Sequence, residues 1–135
     1  MGSVSDFNLV ELGKFLRFIL RAKFDPPVDD KAFTPEINRL LDAIRDAAER
    51  LDDPRKDMII LGYFRGSALD QQNLRTVIEA AKHEYQFCRG HISFRDLVET
   101  GIYPFVLDES GLSEVAKAAE SIETPQSSRD PRTLE

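Results

Sequence analysis

The chain has 135 residues, of which 41% are hydrophobic and 31% are charged. That length predicts one domain of ordinary size, and the apolar content is too high for a wholly disordered chain. The formal net charge of −6 disfavours binding to nucleic acid and to anionic membrane surfaces, because both repel an acidic domain. We therefore expect a protein partner, and the charge is compatible with a basic one.

Cysteine usage and hydropathy favour a cytoplasmic protein. Cys88 is the only cysteine, so no intrachain disulfide can form. The N-terminal residues lack the basic and then apolar pattern of a signal peptide. The longest runs without a charge, 58–64 and 101–107, are far shorter than the roughly 20 residues that cross a bilayer. We expect no membrane span.

The first predicted helix covers about residues 5–23, with Ser5 or Asp6 as its cap. Apolar residues occupy most of its circumference, and a narrow polar stripe contains Glu11, Lys14, Arg17 and Arg21. This distribution is typical of a central helix that packs on several sides. As an alternative, the basic stripe and apolar face could lie on a membrane or in a partner's groove.

The next two segments also favour helices. Thr34 and Pro35 are suited to begin a helix that runs to about Leu51, with apolar residues at helical spacing on one face. A third helix is predicted from about Pro54 to Phe64. Its consecutive apolar residues 58–61 would also suit a buried strand, but no other segment is suited to pair with one.

Three more helices are predicted in the second half, over about 70–89, 93–101 and 110–122. Residues 124–135 are rich in polar residues and proline, and carry no apolar stripe, so we expect a flexible C-terminal tail. The predicted fold is all-α, a compact irregular bundle of five or six helices formed by a single domain over residues 1–123.

Two segments have some of the features of metal sites. His83, Cys88 and His91 fall within nine residues and offer zinc-binding atoms, but their spacing does not stack them on one helix face. Residues 25–36 have an acidic residue at each end, as a calcium loop does, but Pro27 and Asp30 occupy the third and sixth positions, where a ligand and glycine are required. We predict no metal and no cofactor.

Motifs for catalysis and for DNA binding are weak. His83 and nearby carboxylates could transfer protons, so a small helical enzyme that uses carboxylates and His83 is the alternative function. Residues 112–119 resemble the opening of a helix-turn-helix, but no basic recognition helix follows. A surface helix is the simpler interpretation of that segment.

The candidate partner-binding site is the uncharged segment 101–107, represented by Ile102, Tyr103, Pro104 and Phe105. It joins two predicted helices, and Pro104 bars it from a helix interior. Exposed Tyr and Phe are common anchors at protein interfaces. As an alternative, the segment could fold back and fill a gap between helices. We predict a small protein-interaction module: an adaptor, regulator or inhibitor of a larger partner.

Overall fold

The computed structural model describes residues 6–123, which form six α-helices and contain no β-strand. The helices are α1 Leu9–Phe24, α2 Pro35–Arg50, α3 Lys56–Ile59, α4 Gln71–Cys88, α5 Phe94–Ile102 and α6 Glu109–Glu123. Short 3-10 segments lie at Asp30–Phe33 and Leu61–Phe64. The prediction of an all-α bundle is confirmed. The predicted tail, residues 124–135, lies outside the described residues.

Helix α1 begins later than predicted, because Asn8 forms a reciprocal cap with Glu11. The Asn8 side-chain oxygen accepts from the Glu11 amide at 2.9 Å, and the Glu11 carboxylate accepts from the Asn8 amide at 2.8 Å. Such a pair satisfies two amides that have no partner within the helix. The predicted cap Asp6 lies two residues before the cap that the structure shows, and Ser5, the alternative, lies outside the described residues.

The predicted third helix is interrupted. Helix α3 ends at Ile59, and Ile60 has φ −128° and ψ −59°, outside the helical region. The chain continues as the 3-10 segment 61–64 rather than as one helix to Phe64. Ile60 itself is fully buried, so the interruption places its side chain in the core. Helical spacing in the sequence could not reveal a change that tertiary packing imposes.

The core consists of two clusters of apolar side chains. The first lies among α1, α2 and the 56–64 region, and contains Leu9, Leu12, Leu16, Ile19, Leu41, Ile44, Ala47, Ala48, Ile60 and Leu61. The second lies mainly among α4, α5 and α6, and contains Phe24, Ala32, Phe33, Leu74, Val77, Ile78, Ala81, Tyr85, Phe94, Leu97, Val98, Ile102 and Val115. Helix α1 contributes to both clusters, but Val10 and Phe18 on its outer face are 53% and 67% exposed, so it does not pack on every side that its apolar residues predicted. Within residues 6–123, no helix is both long enough and apolar enough to cross a bilayer.

Candidate protein-binding site

The four predicted partner-binding residues differ in their exposure. Ile102 is the last residue of α5 and is fully buried, and Pro104 is buried as well. Tyr103 and Phe105 are half-buried. Of the four residues, therefore, Tyr103 and Phe105 have side chains that a partner could contact, and their role in binding remains a prediction.

Lys23 lies beneath this segment and is fully buried. Its Nζ donates to the Asn38 Oδ1 and the Tyr103 carbonyl, both at 2.7 Å, and to the Thr100 carbonyl at 3.2 Å. The last carbonyls of a helix have no intrahelical partner, so this ammonium satisfies the C-terminal end of α5. Burial lowers the pKa of Lys23 to about 7.

The burial of Lys23 was not predicted from the sequence, which indicated only a favourable interaction with the α1 dipole. A signal was nevertheless present. Leu12, Leu16, Ile19 and Lys23 follow the spacing of a single helix face. Three of these residues are core positions, and the same spacing directs Lys23 inward as well.

Tyr103 connects the segment to α2. Its hydroxyl donates to the Asp42 carboxylate, and Arg45 lies next to both groups, with its Nη1 at 3.4 Å from the hydroxyl oxygen. Burial and the Asp42 carboxylate raise the pKa of Tyr103 to about 12. The ring also packs edge-on against Phe64, with the centroids 6.3 Å apart. These contacts indicate that Tyr103 fixes the position of the segment.

Phe105 faces a different set of residues. Its ring packs edge-on against Phe24 at 5.7 Å and against Tyr63 at 6.3 Å between centroids. The Val106 amide donates to the Ser67 carbonyl at 2.9 Å, which joins the segment to the loop before α4. The Phe105 ring is therefore held between α1 and the 3-10 segment 61–64.

A groove of about 420 Å³ opens beside Phe105, between the C-terminal half of α1 and the start of α4. Its lining residues are Arg17, Leu20, Arg21, Phe24, Asp25, Ala68, Leu69, Asp70, Asn73 and Phe105. We call this feature the α1 groove. It combines an apolar floor with a few polar groups, which is the usual composition of a binding site.

The two arginines of the α1 groove have no ionic partner in the part of the chain that the structure describes. Arg17 and Arg21 are exposed and belong to none of the ion pairs there. Asp70, also in the lining, already accepts from the Asn73 amide at 3.2 Å and from its side-chain nitrogen at 2.7 Å. Asp25 is exposed on the rim. Both guanidinium groups are therefore available to an anionic group of a ligand.

A larger cavity, of about 690 Å³, lies between α4 and α6 but has a different character. Four of its five charged side chains form two ion pairs, Arg75 with Glu114 at 3.2 Å and Lys82 with Glu79 at 2.9 Å, while Lys117 belongs to none of the ion pairs among the described residues. No aromatic residue is among the described residues that line it. The α1 groove is the stronger candidate because its cations are unpaired and its floor contains two phenylalanines.

The residues considered as metal ligands do not form a cluster. His83 and His91 are exposed, and Cys88 is half-buried, with its Sγ donating to the Glu84 carbonyl at 3.6 Å. Burial and the Glu84 carboxylate raise the pKa of the Cys88 thiol. Among residues 6–123, no three His, Cys, Asp or Glu side chains converge as a metal site would require.

The segment considered as a calcium loop contains a short 3-10 helix instead of an open loop. Asp29 caps this segment through the Lys31 amide at 3.0 Å and forms an ion pair with the Lys31 side chain at 2.7 Å. The Thr34 hydroxyl donates to the Asp30 carbonyl at 3.1 Å. The polar groups at this position therefore organise the entry into α2.

No family model, curated protein or solved structure matches this chain. A proposal for its function therefore depends on the geometry and charge of its own surface. Within residues 6–123, the α1 groove brings exposed cations, aromatic side chains and a concave shape together.

Proposed function

We propose that this protein is a protein-interaction module, an adaptor, regulator or inhibitor that holds a segment of a larger partner in the α1 groove. One observation supports this proposal most strongly. Arg17 and Arg21, which form no ion pair among the described residues, lie in the same groove as Phe24 and Phe105. Arginine and aromatic side chains are enriched among the residues that contribute most to protein interfaces.

The groove is also anchored by contacts that do not involve the groove surface. Lys23 donates to the Tyr103 carbonyl of the 101–107 segment, and the Val106 amide of the same segment donates to the Ser67 carbonyl. Anchored walls reduce the conformational entropy lost on binding, which favours affinity. A partner would therefore meet a surface that is already shaped.

No observation favours the alternative of a small helical enzyme. His83 lines a separate cavity of about 550 Å³, with Asp29, Asp30 and Glu84 among its neighbours. Asp29 is engaged by Lys31 at 2.7 Å, and among the described residues no hydrogen bond joins His83 to a carboxylate that could orient it for proton transfer. His83 and the carboxylates are therefore not proposed as a catalytic site.

Filling the groove tests the proposal. Ala68 is exposed and lines the α1 groove, so Ala68→Trp should occupy the space that a partner needs. Ala116 is exposed on α6, and Ala116→Trp makes the same chemical change on an unrelated surface. Affinity capture from the source cells, quantified by mass spectrometry, compares both variants with the wild-type protein.

We expect a protein that the wild type and Ala116→Trp retain and that Ala68→Trp loses. Both variants should keep the wild-type thermal midpoint, because each change is made on an exposed side chain. Equal retention by Ala68→Trp would contradict the proposal, and so would the absence of any protein specifically captured by the wild type.

A further inference from the structure

The outer face of α1 extends the α1 groove towards the N-terminus of the helix. Val10, Lys14 and Phe18 follow one another at intervals of four residues, and Arg17 and Arg21 lie beside them on the same face. Val10 is 53% exposed and Phe18 is 67% exposed. We call these five residues the α1 stripe, which extends about 16 Å along the helix axis.

The α1 stripe differs in charge from the protein as a whole. The chain has a net charge of −6, yet Lys14, Arg17 and Arg21 are the charged members of the stripe. Within residues 6–123, none of the three forms an ion pair. Two acidic residues flank the stripe: Glu11 is engaged in the cap of α1 at 2.8 Å, and Asp25, four residues after Arg21, is exposed in the lining of the α1 groove.

We propose that the α1 stripe binds an acidic amphipathic helix of the partner. This inference rests on the proposed function and adds the chemistry of the partner. Carboxylates of that helix would pair with Lys14, Arg17 and Arg21, while its apolar side chains would pack on Val10 and Phe18 and enter the α1 groove. Complementary charge is what selects an acidic partner in preference to a neutral or basic one.

A helical partner follows from the spacing of the three cations. Lys14, Arg17 and Arg21 are separated by three and four residues, so they form a row along the axis of α1. A second helix lying against α1 presents its own side chains at the same intervals. Carboxylates three or four residues apart would therefore meet the cations in register.

An anionic membrane is the competing occupant of a basic and apolar stripe. Three cations provide limited attraction, and the acidic remainder of the protein opposes it. We therefore favour the protein partner, and vesicle binding is included as an outcome of the test.

The test is a selection from a display library of random 16-residue peptides on the full chain. Selected peptides should be rich in Asp and Glu, with apolar residues three or four positions apart. Their binding to Arg17→Glu/Arg21→Glu should be weaker by about tenfold or more, because close charge pairs are reversed. Arg39→Glu/Arg50→Glu makes the same charge change on exposed positions of α2 and should bind as the wild type does.

Selection of basic or uncharged peptides would overturn the inference, and so would selected peptides that bind Arg17→Glu/Arg21→Glu as well as they bind the wild type. A third contradicting result is a selection that yields no peptide while the protein binds vesicles of phosphatidylserine and phosphatidylcholine. Each leaves the proposed function standing if the captured partner is still lost from Ala68→Trp. If Ala68→Trp retains every captured protein, the proposed function itself fails.

Discussion

Helix α1 carries one cation on its inner face and three on its outer face, and their surroundings differ completely. The ammonium of Lys23 has three acceptors within hydrogen-bond distance and no contact with solvent. Lys14, Arg17 and Arg21 are exposed and have no ionic partner within residues 6–123. A cation surrounded by acceptors stabilises the fold, whereas a cation of the same kind without them can bind a partner. The surroundings of the side chain decide between these roles more than its residue type does.

The largest effect is expected at the buried cation. Lys23→Ala should lower the free energy of unfolding by about 3 kcal/mol, because it leaves a cavity and removes the donor from the Thr100 and Tyr103 carbonyls. Lys14→Ala should change it by less than about 0.5 kcal/mol, since Lys14 is exposed. Urea denaturation of both variants measures the two changes in the free energy of unfolding. Similar changes would contradict the difference between the inner and outer faces of α1.

A pH dependence should separate Lys23 further from the exposed cations. The pKa of Lys23 is lowered from 10.5 to about 7 in the folded chain. Between these values the unfolded chain holds a proton that the folded chain lacks, so stability rises with pH. From pH 7 to pH 9 the wild type should gain about 2 kcal/mol relative to Lys23→Ala.

Denaturation of both proteins at the two pH values checks this gain. The window ends below the region in which the Tyr103 hydroxyl titrates, since its pKa is raised to about 12. A stability difference that stays constant or falls with rising pH would show that burial does not disfavour the charged form of Lys23.

A smaller effect is expected from the aromatic residues. Phe105→Ala should cost about 1 to 2 kcal/mol, less than a fully buried ring, because Phe105 is half-buried between Phe24 and Tyr63. Phe18→Ala should be nearly neutral for stability, since that ring is 67% exposed. Thermal denaturation compares the two variants. Equal losses would mean that the Phe18 ring also supports the fold.

The sequence predicted the local structure better than the site. The apolar spacing of the second helix and the predicted start of the fourth helix near residue 70 depend on neighbouring residues, and both are present in the structure. The α1 groove brings together side chains from three separate segments, residues 17–25, residues 68–73 and Phe105. Such an arrangement depends on long-range packing, which periodicity does not encode. Of the predicted site residues, only Phe105 belongs to that groove.

The most direct test of the docking surface is site-specific photo-crosslinking in the source cell. The photoreactive analogue p-benzoylphenylalanine replaces Phe18 on the α1 stripe or, as a matched control, Phe87, which is 82% exposed on α4. Neither change should measurably alter stability, because both rings lie largely in solvent. We expect position 18 to crosslink the partner, Ala68→Trp to abolish that product, and position 87 not to yield it. The same partner crosslinked equally from position 87, or a position-18 product that survives Ala68→Trp, would contradict binding in the α1 groove.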